Sequence, residues 1–155
     1  MSIAQRLTEL GIELPPVAAP AGSYVPALVQ DGLVFTSGQL PFVNGALPMT
    51  GKIGDGEGLV SPADAAELCR AAALNALAAV QSVIGDLDRV TRIVKATGFI
   101  ASDPSFTGQP GVMNGASDVL GEIFGERGQH ARSAVGVAVL PLDSPVEVEL
   151  ILAID

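Results

Sequence analysis

The chain has 155 residues, 48% of them hydrophobic and 16% charged, which supplies one packed core and excludes a disordered tail. Seventeen acidic against eight basic side chains give a formal net charge of -9 with no basic stripe, so nucleic acid is not an expected partner. One cysteine, Cys69, and one histidine, His130, leave no disulfide framework and no Cys/His zinc set.

Ile3, Leu7 and Leu10 recur at helical spacing between Ser2, a possible N-cap, and Gly11, a stop, which predicts a short leading helix. No apolar h-region is found in Met1 to Leu14, and no unbroken apolar run reaches the roughly 18 residues of a membrane span. A cytoplasmic protein with no membrane partner is expected. Val25 to Val29 and Leu33 to Ser37 flank Asp31-Gly32, a two-residue hairpin signal. Pro41 to Leu59, rich in Gly and Pro, reads as a long surface loop with at most one short strand. Ser61-Pro62 then opens a helix over Ala63 to Ile84, closed by Gly85. Val90 to Ser102 reads as a strand, about Gly111 to Phe124 as a second core helix, and Arg132 to Leu140 and Val146 to Ile154 as two final strands. The order after the leading helix is ββαβαββ, in one domain over residues 1–155: a leading helix and extension at 1–14 and a core at 15–155.

Strand side chains alternate between faces. Ser133, Val135, Val137 and Val139 share one face, and Arg132, Ala134, Gly136 and Ala138 the other; in the last strand Val146, Val148, Leu150, Leu152 and Ile154 oppose Glu147, Glu149, Ile151 and Ala153. The bulky faces are expected under the two core helices, leaving the small and mixed faces to a neighbouring subunit. Arg132 is the only fixed charge between Gly128 and Leu142, and a charge in apolar surroundings needs an anionic partner, either Glu147 or a ligand carboxylate.

Several motifs fail. Five residues separate Gly45 from Gly51-Lys52, and Ile53 stands where a phosphate loop needs Ser or Thr. There is no Gly-x-Ser-x-Gly elbow, and His130 reads as a solvated loop residue with a possible role lining a site beside Arg132. Cys69 in mid-helix reads as a small buried hydrophobe.

Four motifs succeed together: Ser23-Tyr24-Val25; Phe35-Thr36-Ser37-Gly38-Gln39-Leu40-Pro41; Ala131-Arg132-Ser133-Ala134-Val135 leading to Leu140-Pro141; and Val146-Glu147-Val148-Glu149. In this order the chain resembles, from about Pro20 to Asp155, the Rid family of YjgF-like enamine/imine deaminases, many of which carry the older label endoribonuclease L-PSP. The resemblance implies a chorismate-mutase-like α+β fold, a mixed sheet with two helices on one face, and a homotrimer with a central sheet-lined barrel and clefts between subunits. It implies hydrolysis of small 2-imino or 2-enamino acids to 2-oxo acids and ammonia without metal or organic cofactor. Arg132 would then grip the substrate carboxylate and Glu147 serve as the acid, with Tyr24, Ser37, Gly38, Asn114 and Ala134 in substrate binding.

A planar guanidinium offers a carboxylate two parallel donors, and a half-buried carboxylate can position the attacking water and move protons. Against this stand plainer roles: an Arg132–Glu147 ion pair, Tyr24 as an interface aromatic, Ser37 and Gly38 as strand-end geometry, and Asn114 as a helix cap. The Rid pattern Arg-Ser-Cys is Arg132-Ser133-Ala134 here, so the thiol is absent; with the leading helix and the 44–58 loop this suggests a divergent subgroup. The alternative is a non-catalytic trimer that binds a small carboxylate as sensor or scaffold. Ribonuclease activity is disfavoured by the acidic composition.

Overall fold

The computed structural model describes residues 1–155. Its principal elements are helix α1 (Ile3–Glu9), strands β1 (Ala27–Gln30) and β2 (Leu33–Thr36), helix α2 (Pro62–Ile84), strand β3 (Val90–Ala101), helix α3 (Gln109–Phe124), and strands β4 (Ala131–Val137) and β5 (Val146–Ile154).

Local chemistry starts and stops these elements where the residues require. Ser2 Oγ accepts from Gln5 N at 3.1 Å and Gln5 Oε1 accepts from Ser2 N at 2.9 Å, a reciprocal capping box that opens α1. Asp31 and Gly32 both hold positive φ, 50° and 76°, as a two-residue turn twisted to match its strands demands. Ser61 Oγ accepts from Asp64 N at 3.1 Å, Pro62 fills the first helical turn, and Gly85 at φ 81° ends α2.

The five strands order as β1-β2-β5-β3-β4, antiparallel throughout except for β3 and β4, whose parallel pairing requires the crossover through α3. The result is an α+β fold with α2 and α3 layered on one face of a mixed sheet. Val34, Ile93, Ala96, Ile100, Val146, Val148, Leu150 and Leu152 point into that layer and are 1% exposed or less. α2 is long and apolar enough to cross a membrane by length and composition alone, yet most of it is buried here, between sheet and α3. The two core helices meet backbone to backbone: a Cβ added at Gly115 would overlap the Ala66 carbonyl oxygen and stand 2.6 Å from its carbon. Ile3 and Leu7, one helical turn apart, carry α1 into the same apolar cluster.

One expectation is refined and one corrected. The 41–59 segment forms no helix or strand and is mostly exposed, as expected of a surface loop, but it is pinned at its centre and its start. Ile53 is fully buried, its N–H donating to the Ala101 carbonyl at 2.8 Å while the Asp103 N–H donates to its own carbonyl at 2.9 Å, and the buried Asn75 amide donates to the Leu40 and Phe42 carbonyls at 3.0 Å each. The faces of β4 are reversed. Arg132, Ala134 and Gly136 pair with Ala96, Gly98 and Ile100, all turned toward the helices, and Ala134 packs against the core. Val135 (44% exposed) lies instead on the open face. The cause is spacing: Met113 of α3 occupies the room above Gly98, so the strand beside it presents small residues to the helix. Bulk is a poor guide to the inner face of an edge strand when the covering helix supplies the volume. The open face carries Leu28, Phe35, Phe99, Val135 and Ile151, together with Thr97, Glu147 and Glu149.

Candidate functional site

Because residue 132 turns toward the helix layer at the sheet edge, its side chain meets α3. Asn114 and Ser117, three apart on that helix, share a face. Arg132 Nη1 donates to Asn114 Oδ1 at 2.7 Å and to Ser117 Oγ at 3.3 Å, and Nη2 donates to the Pro110 carbonyl at 3.3 Å. All three acceptors are neutral. The ion pairs of the chain are Arg6–Glu9, Arg70–Glu122 and Arg89–Asp155, so Arg132 has no carboxylate of its own. Of the five guanidinium donors, Nε–H and one on Nη2 find no acceptor in the chain, and these two nitrogens share an edge of the plane. A carboxylate can take both.

His130 is not the solvated loop residue expected. It is half-buried, with Nδ1 2.6 Å from the Gly128 carbonyl and Nε2 2.9 Å from Ser117 Oγ. A carbonyl only accepts, so Nδ1 carries the proton, and in the neutral ring Nε2 accepts from the Ser117 hydroxyl. Asn114, Ser117, His130 and Arg132, with Gly121, Gly128 and Gln129, line a depression of about 370 Å³ that contains no hydrophobic residue. Asn114 does not cap α3, whose N-cap is Gly108, and its carbonyl is committed to Arg132. Ser117 and the structural part of His130 were not legible beforehand; the available signal was the three-residue spacing from Asn114 and the proximity of His130 to Arg132.

A second group forms around Glu147. On β5 this residue pairs with Phe99 and so faces the open side of the sheet, opposite to Arg132, and no Arg132–Glu147 ion pair exists. Gln39 and Val148 exchange backbone hydrogen bonds at 2.8 and 3.0 Å, which lays Gly38 over the Glu147 side chain. A Cβ at residue 38 would overlap the carboxylate where it now lies, so a larger residue there displaces the Glu147 side chain. Ser37 Oγ donates to the Val25 carbonyl at 2.6 Å, and the neighbouring Tyr24 is 49% exposed, its hydroxyl accepting from Ala21 N at 3.1 Å. Burial pushes the Glu147 carboxyl above its ordinary pKa, and the adjacent charge of Glu149 adds to the rise.

The predicted site residues therefore divide into two groups. Arg132, Asn114 and Ala134 gather on the helix side of the β4 edge, whereas Gly38 lies over Glu147, and Ser37, just before it in the chain, is bonded to Val25, the neighbour of Tyr24. Cys69 is fully buried and its thiol is pushed up to about 12 by desolvation, consistent with an inert hydrophobe. A larger cleft of about 810 Å³ lies between residues 13–19, loop 42–45 and α2; it shares no residue with either group and is lined by no cation.

Residues 4–154 match a family described as "YjgF/chorismate_mutase-like, putative endoribonuclease". Protein TCP17 of Trypanosoma cruzi is 44% identical over 154 residues, covering 99% of this chain and 94% of that protein. A crystal structure from Shewanella oneidensis, described as a "putative endoribonuclease", is similar with a TM-score of 0.94 and 35% identity over 99% of this chain and all of that one. Escherichia coli TdcF, solved with bound serine, is similar with a TM-score of 0.60 and 26% identity over 92% of this chain and 94% of that one. The matched region begins well ahead of Pro20, so all of α1 but its first residue falls within it.

Proposed function

The chain belongs to the YjgF/chorismate-mutase-like family, and on that footing we propose that it hydrolyses small 2-imino or 2-enamino acids to 2-oxo acids and ammonia. One observation carries this reading: a guanidinium at a surface depression, held by neutral groups, with Nε–H and one Nη2–H left for an anion. The substrate carboxylate takes these donors, which fixes C2 in place and orientation. Water adds to C2 of the iminium form R–C(=NH₂⁺)–COO⁻, its two protons pass one after the other through a carboxylate to the departing nitrogen as the C2–N bond breaks, and R–CO–COO⁻ and NH₄⁺ leave. Glu147 suits the proton transfers because its raised pKa brings it nearer the operating pH.

Arg132 and Glu147 occupy opposite sides of one sheet, so the cleft is completed by a neighbour, with Arg132, Asn114 and Ala134 from one subunit and Tyr24, Ser37, Gly38 and Glu147 from the next. A homotrimer that packs its open faces inward, around a sheet-lined barrel, covers Phe35, Phe99 and Val135 and meets this need. No cofactor enters the proposed reaction.

The test is 2-oxo acid release while an amino-acid oxidase generates imines in situ. Acceleration beyond the spontaneous rate is expected for the intact protein, and its absence would end the deaminase reading. A second reading, a non-catalytic carboxylate binder, draws support from the serine bound to TdcF, an amino acid with no imine to hydrolyse. Binding of small acids without turnover would select it.

Glu147 carries a further prediction. Its folded pKa is raised, so the native chain binds more protons than the unfolded one over the window above the ordinary carboxylate value, about 4.3. The group's effect on stability is least unfavourable below that value, and stability falls as pH rises through the native pKa. Glu147→Gln is expected to flatten this part of the stability profile, raise the urea midpoint at neutral pH, and abolish turnover. Urea denaturation from about pH 4 to pH 8 checks the first two.

A further inference from the structure

We propose that Ser117 and His130 are positioning residues that hold the Arg132 guanidinium in its carboxylate-binding orientation; this rests on the reading that Arg132 takes the substrate carboxylate. Asn114 Oδ1 and Ser117 Oγ both accept from Nη1. A hydroxyl accepts cleanly from a cation only when its own proton is directed elsewhere, and His130 Nε2, 2.9 Å from Ser117 Oγ, receives that proton. The ring is fixed in turn by Nδ1–H donating to the Gly128 carbonyl. Gly128 is itself wedged against the backbone of Leu120, where a Cβ would overlap the carbonyl oxygen. A directed chain thus runs from an immobile carbonyl through imidazole and hydroxyl to Nη1, and it leaves Nε–H and one Nη2–H for the ligand.

Without the imidazole acceptor, the Ser117 proton is free to turn toward the guanidinium, and Arg132 gains rotameric freedom that a ligand must then remove on binding. Phe at 130 fills similar space and removes the acceptor. Gln at 130 keeps one near the position of Nε2. Ser117→Ala removes the hydroxyl and disturbs little volume.

The full-length chain is titrated with 2-oxobutanoate, an acid of the proposed product class, by NMR. Ser117→Ala and His130→Phe are each expected to weaken binding about 10-fold, His130→Gln to stay within about 3-fold of wild type, and Arg132→Met to lose binding altogether. His130 is the only histidine, so its ¹⁵N spectrum is unambiguous. In the wild type it is expected to show a protonated Nδ1 and an accepting Nε2 whose resonance moves on ligand binding, and that movement is expected to vanish in Ser117→Ala.

If Arg132→Met loses binding while folded Ser117→Ala and His130→Phe bind as wild type, the positioning role is overturned and the carboxylate reading stands. An Nε2 resonance that ignores the ligand overturns it equally, and needs no variant to fold. If Arg132→Met binds as wild type, the carboxylate reading itself falls, and the positioning role with it.

Discussion

Arg132→Met is expected to lower kcat/KM for a 2-imino acid by about 10³-fold and to leave the thermal unfolding midpoint nearly unchanged. The side chain sits at the surface beside a depression, and its three hydrogen bonds tie β4 to α3 at the rim, away from the fully buried cluster of Leu77, Ile93 and Leu120. Their loss frees Asn114 and Ser117 to bond water, so little stability is at stake. Binding loses more. The carboxylate forfeits a charge-assisted pair of donors, and C2 forfeits the fixed position from which water can reach it. Arg132→Lys keeps the charge, but a single ammonium cannot serve Asn114, Ser117, the Pro110 carbonyl and a bidentate ligand together. It is expected to recover about 10-fold of the loss and no more. Steady-state kinetics with oxidase-generated imines checks both variants, and an unchanged kcat/KM in Arg132→Met would remove the guanidinium from the mechanism.

Gly115→Ala is expected to destabilise the chain by about 2–4 kcal/mol, against an intrinsic helix preference that favours alanine by about 1 kcal/mol. The sign is decided by what the new methyl meets. At residue 115 it meets the Ala66 carbonyl, backbone rather than the end of a flexible side chain, so α2 and α3 must separate. Leu68, Cys69 and Ala72 of α2 and Met113, Ala116 and Leu120 of α3 belong to one buried cluster, and small shifts between the helices open voids through it. For a chain of this size the loss corresponds to a fall in Tm of roughly 5–15 °C. Gly111→Ala on the same helix is the control, because no atom lies within 4 Å of its Cβ position, and it is expected to be neutral or slightly stabilising. Equal melting of the two variants would show that the close helix contact is not maintained in solution.

Much of this architecture is written in local chemistry. The turn at Asp31-Gly32, the Ser61-Pro62 start and the Gly85 stop each follow from the conformational limits of single residues, and they place β1, β2 and α2 without reference to the rest of the fold. The inner face of β4 is different. Its choice depends on Met113, which reaches Gly98 only after the crossover through α3 has formed, and nothing within residues 131–137 encodes that volume. The site shows the same division. Arg132 and Glu147 stand out as charges in apolar strands, and the four ordered motifs bring Tyr24, Ser37, Gly38 and Ala134 with them. The Arg132–Asn114 bond joins residues 18 apart in the chain, and the spacing of Ser117 from Asn114 and of His130 from Arg132 hints at the hydroxyl and imidazole behind it without fixing their contact.

The parity of two strands has a last chemical consequence. On the proposed reading, a small acid lodged on the Arg132 guanidinium is screened by the sheet from the same chain's Glu147. Its proton shuttle would then be set by whichever copy lies alongside, so a substitution that rotates one copy against another is expected to silence or retune the proposed reaction while every side chain named in it stays as it was.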